Sequence, residues 1–69
     1  MDSNYIIDRL KSTPYKYPTV ALLKTRISNL DLEVQHEILN NLKLQLHKER
    51  NLDIQQSLEE LVYHCPIAS

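Results

Sequence analysis

The chain contains no glycine, and that limits its folding more than anything it does contain. Glycine is the usual residue at left-handed turns and helix C-caps, so a chain without it must turn by other means. Between Pro18 and Pro66 no residue forbids helix. Two phrases repeat inside that window, Asn29-Leu30-Asp31-Leu32 and Asn51-Leu52-Asp53-Ile54. Asparagine and aspartate favour helix boundaries. The repeat therefore marks two cuts, about six helical turns apart, in an otherwise helical segment.

The expected fold is all-α, a small bundle of three to four helices over residues 3–12, 18–29, 31–50 and 53–65, with a helical-hairpin core. Asp2 or Ser3 caps the first helix, which carries Ile6, Ile7 and Leu10 on one side. Ser12-Thr13-Pro14 ends it, because proline disfavours helix at the residue before it. Residues 13–18 then read as an extended Pro/Tyr linker, with Pro18 in the first turn of the second helix. That helix places Val20, Leu23, Ile27 and Leu30 in one apolar stripe. Asn29 is expected to stop it in left-handed geometry, and Asp31 to cap the third.

In the third helix Val34, Ile38, Leu42 and Leu46 recur every four residues with Leu39 alongside. With Leu32 they span an apolar arc of about 160°. So wide an arc calls for two neighbouring helices. The basic cluster His47, Lys48 and Arg50 suits a helix C-terminus. Asn51 follows as a stop, and Asp53 to Gln56 has capping-box spacing. The repeat thus favours a break near Asn51 over one kinked helix. The fourth helix carries Ile54, Leu58, Leu61, Val62 and Cys65 as its stripe, and Pro66 ends it.

A chain of 69 residues allows one domain, here 1–69, with a marginal core. Its amphipathic surface is generous for its length, which points to a homodimer. Cys65 is the only cysteine, so no internal disulfide forms, and a reducing compartment suits it. With no leader pattern and no long apolar run, the expectation is a cytoplasmic protein outside the membrane. Charge is unevenly placed: residues 1–30 carry net +3 and residues 31–69 net −4. Such asymmetry steers a partner or a second copy.

Catalytic and metal chemistry find little footing. Glu33 and His36 have the Glu-x-x-His spacing of di-iron bundles but lie on the polar side of the third helix. His36 and His47 are about 16 Å apart along it, too far for one metal ion. His64 and Cys65 diverge by about 100° on a helix, as do Glu59 and Glu60. Cys65 is expected as a buried, inert thiol. A glycine-free chain has no phosphate-binding glycine loop. No enzyme, cofactor or metal is therefore expected.

Two binding readings remain. A small interaction protein (a regulator, adaptor or inhibitor) would dock through Leu22, Leu44 and Tyr63, which lie off the core stripes. Alternatively, a nucleic-acid-binding transcriptional regulator would use the basic segment Lys11, Lys16, Lys24 and Arg26 with Tyr15 and Tyr17. Against the second, Glu33 and Glu37 would face phosphates in a helix-turn-helix arrangement, and the tyrosines can instead cover the core from the linker.

The pattern Leu23-x3-Ile27-x2-Leu30, Asp31, then Ile38-Leu39-x2-Leu42-x2-Gln45-Leu46 resembles the phycobilisome-degradation adaptors, a family of small helical-hairpin dimers. The likeness runs from Leu23 to Arg50, under half of the chain, and is no identification. It implies a hairpin of the second and third helices and a dimeric adaptor without an active site. Nothing beyond Arg50 matches that family's C-terminal contact segment.

Overall fold

Helix formation starts at Asp2, whose carboxylate accepts the Tyr5 N–H at 2.9 Å. Helix α1 (Ser3–Ser12) follows from that cap. The computed structural model describes residues 1–65, and three more helices complete them: α2 (Lys16–Ser28), α3 (Leu32–Lys48) and α4 (Leu52–His64). The fold is all-α, with no strand among the described residues. The break before α4 is real, so residues 31–65 are not one kinked helix. Pro66, expected to end α4, lies outside the described residues.

No described residue has a positive φ, so Asn29 does not end α2 in left-handed geometry. It stays right-handed at φ −93° and ψ −2°. The chain exits α1, α3 and α4 through extended residues instead: Thr13, Glu49 and Cys65 all have ψ between 125° and 135°. Helix ends leave backbone groups unpaired whether the exit is extended or right-handed, and side chains take up the partnership. At the first junction Thr13 Oγ1 accepts the Tyr15 N–H at 3.1 Å and a hydrogen bond from Thr19 Oγ1 at 3.2 Å. At the second, Gln35 Nε2 donates to the carbonyls of Ser28 (3.2 Å) and Leu30 (2.7 Å). At the third, Glu49 Oε2 accepts the N–H groups of Arg50 (3.2 Å) and Asn51 (3.4 Å).

The two Asn-Leu-Asp phrases play different parts. In the first, Asp31 holds the N-cap position of α3 but makes no side-chain capping bond. In the second, Asn51 is the N-cap of α4, and its Oδ1 accepts the Ile54 N–H at 3.1 Å. The capping role has moved two residues, and the expected Asp53–Gln56 box does not form, because Asp53 is already inside the helix. Likewise α2 begins at Lys16, not 18, which shortens the connection to residues 13–15. Pro18 still falls in the first turn, where its missing N–H costs nothing.

All four helices contribute to one core of Ile6, Leu10, Val20, Leu23, Ile27, Ile38, Leu39, Leu42, Ile54, Leu58 and Leu61. Around it α3 packs most extensively on α4, α4 also on α2, and α1 on both α2 and α3. Helices α2 and α3 scarcely touch, so the principal hairpin is α3–α4 rather than the α2–α3 pair that the family resemblance implied. Helix α3 does have two neighbours. Yet its apolar arc is narrower than expected: Leu32 and Val34 are exposed, 46% and 37%, while Gln35 is buried. On the Val34 side the cause is the shortness of α1, which lies beside the C-terminal half of α3, where Lys11 approaches Glu49. The first turn of α3 is left uncovered on that side.

These junctions separate the two asparagines by experiment. Asn51→Ala removes a capping bond and should cost about 1 kcal/mol in chemical denaturation. Asn29→Ala removes none and should cost less than about 0.5 kcal/mol. Equal losses would contradict the assignment.

Candidate functional site

Charges that looked available to a partner in the sequence are largely occupied within the fold. Lys24 Nζ lies 2.8 Å from Glu60 Oε1, and Lys11 Nζ 3.9 Å from Glu49 Oε1. Each pair joins a cation of the basic N-terminal half to a carboxylate of the acidic C-terminal half. Lys16 Nζ donates to the Thr13 carbonyl at 3.1 Å. Of the four cations of the expected nucleic-acid surface, Arg26 alone has no ion pair or hydrogen bond among the described residues. Tyr15 and Tyr17 are 72% and 88% exposed. They do not cover the core, because α2 starts early enough to carry Tyr17 outward.

These interactions shift the two glutamates downward. The hydrogen bond from Gln45 (Nε2 to Oε1, 3.0 Å) lowers the Glu49 pKa most, aided by the N–H of Asn51, Lys11 and the N–H of Arg50, against an opposing effect of desolvation. The hydrogen bond from Lys24 lowers that of Glu60, also against desolvation, with smaller help from the Lys24 and His64 charges. His64 Nε2 sits 3.9 Å from Glu60 Oε2 and pairs with it when protonated.

A groove of about 700 Å³ runs between α2 and α4. Lys16 and Lys24 stand on its α2 wall, Asp53 and Glu60 on its α4 wall, and Val20 and Ala21 between them. Mixed charge and an internal Lys24–Glu60 bridge make it a poor track for a phosphate backbone. A smaller hollow of about 320 Å³ lies between α1 and α3, lined by Ser3, Asn4 and Ile7 on one side and Asn41, Leu44, Gln45 and Lys48 on the other. Its lining includes no carboxylate.

The residues assigned to partner contact are where the wheel placed them. Leu22, Leu44 and Tyr63 are 48%, 66% and 57% exposed, on three different helices. The Tyr63 ring carries the Lys43 ammonium 6.0 Å from its centroid, a weak cation–π contact at an exposed site. Leu52 is also exposed, 71%. It opens α4 on the side opposite the Ile54-Leu58-Leu61 stripe, one residue before the expected start of that helix at 53.

Glu33, His36 and His47 are all exposed, and no group of three or more potential metal ligands occurs among the described residues. Cys65 is half-buried just beyond α4, its thiol 3.8 Å from the Lys24 carbonyl oxygen. Desolvation pushes its pKa up, with Lys24 opposing, which lowers the thiolate fraction. No helix is long and apolar enough to cross a membrane among the described residues. Comparison with protein-family models, curated proteins and solved structures gives no match.

The lowered glutamates set an acid limb. Ionised Glu49 and Glu60 favour the fold above the ordinary glutamate range, about pH 4.3, and that support is lost as pH falls through their lower folded values. Circular-dichroism melts should fall toward about pH 3, and less steeply in Glu49→Gln and Glu60→Gln. An acid limb unchanged in both variants would refute these pairings.

Proposed function

We propose that this is a small non-enzymatic interaction protein, a regulator, adaptor or inhibitor that docks on another protein and assembles as a homodimer. One observation carries the reading: Leu22, Leu44, Leu52 and Tyr63 stand out in solvent, although the chain has a closed core to which all four helices contribute. Tyrosine is enriched among the residues that anchor interfaces, and exposed apolar side chains supply an interface's contact area. The raised pKa of Cys65 supports a thiol without nucleophilic work. Such a protein needs no cofactor, and a cytoplasmic location suits its unpaired cysteine.

The nucleic-acid reading has less behind it. Lys11 and Lys24 are paired with carboxylates, and Asp53 and Glu60 line the groove that Lys16 and Lys24 share. Phosphate binding would have to break those pairs or act through Lys16 and Arg26.

Affinity capture with the wild-type chain, Leu22→Asp and Tyr63→Asp separates the two, since both sites are exposed and both variants should keep the wild-type melting temperature. One protein retained by wild type and lost from either variant is the expected result. Retention that is indifferent to both, together with salt-sensitive binding of DNA or RNA lost in Lys16→Ala/Lys24→Ala, would replace docking with the alternative.

A further inference from the structure

We propose that the outer face of α3 is the homodimer interface, formed by antiparallel packing of α3 on the α3 of a second copy about a two-fold axis between Asn40 and Asn41. The inference rests on the dimeric reading above and says which surface forms it. Glu33, Glu37, Asn40, Asn41, Leu44 and Lys48 are all exposed, and on a helical wheel they fall within about 100° of one another, away from the core. Their order along the helix is carboxylates first, amides at the centre, then Leu44 and Lys48. Neither Glu33, Glu37 nor Lys48 has an ion pair among the described residues.

That order is complementary to itself when reversed. Glu33 and Lys48 lie equally far from the midpoint, about 11 Å along the axis, and so do Glu37 and Leu44 at about 5 Å. An antiparallel second copy therefore sets Glu33 against Lys48 twice, Glu37 beside Leu44 twice, and the asparagines face to face. A two-fold interface requires this reciprocity.

The hollow between α1 and α3 supplies the second observation. Lys48, Asn41, Ser3 and Asn4 line it without any carboxylate, so it offers donors where the reversed copy brings Glu33 and Glu37. Ile7 and Leu44 line the same hollow and give the stem of the opposing Glu37 an apolar neighbour. One helix face on each copy makes an interface at the small end of the specific range, below about 1,200 Å². The dimer is therefore weak, and weakened further by salt.

Sedimentation equilibrium of the full chain, from micromolar to about millimolar protein, tests the assignment. Lys48→Glu and Glu33→Lys should each weaken dimerisation at least tenfold, about the effect of two like-charge contacts. The combined variant should restore it. Melting temperature checks that each chain is folded. As a measurement independent of those charges, Asn41→Cys in a Cys65→Ser background should cross-link to itself under mild oxidation, whereas Leu22→Cys in the same background should not. A wild-type monomer throughout would remove both the dimer and this interface. A dimer indifferent to either reversal, unrescued by the pair, or cross-linked through position 22 but not 41 would overturn the interface alone.

Discussion

The turn around Glu49 holds this molecule together. With no glycine to turn left-handed at its end, α3 leaves through an extended residue, Glu49, and exposes backbone donors at the start of α4. One carboxylate answers several needs there: it accepts the N–H groups of Arg50 and Asn51 and the amide of Gln45, and it draws Lys11 from α1. Gln55 donates to the Glu49 carbonyl from the other side. With the turn closed, Asn51 caps α4, and α4 folds back on α3 to complete the core. Gln35 does the corresponding work for carbonyls at the end of α2, at the cost of a buried Oε1 that has no hydrogen-bond partner among the described residues.

Much of this architecture was legible because helices advertise their buried faces. Ile38, Leu39 and Leu42 recur with the helical period, as do Ile54, Leu58 and Leu61, and all six are buried. What was hidden depends on tertiary context. Val34 has the right period for burial but the wrong neighbour, since α1 is too short to reach it. Gln35 reads as polar surface until the carbonyls of Ser28 and Leu30 arrive beside it. The Asn-Leu-Asp phrase marks a cut correctly in both places, yet either residue can take the capping position, and the phrase alone cannot say which. A similar degeneracy let α2 begin two residues early, since proline is tolerated throughout a first turn.

The exposure of the apolar candidates was legible in the sequence, and the pairing of the charged ones was not. Leu22, Leu44 and Tyr63 depend only on their angle around a helix, which the period fixes. The lysines depend on what packs beside them. A cluster that looked like a phosphate-binding strip becomes, once α4 is in place, one half of two internal ion pairs. The charge asymmetry between the halves of the chain thus contributes two ion pairs that join them, Lys11 with Glu49 and Lys24 with Glu60.

The central role of Glu49 can be followed one amide at a time. In a pH titration by proton–nitrogen NMR, the N–H signals of Arg50 and Asn51 should move together as one carboxylate ionises, with a midpoint below the ordinary glutamate value of about 4.3. The movement should vanish in Glu49→Gln. Amide signals that stay still, or that titrate at the ordinary value, would show that the turn is closed by something other than this carboxylate.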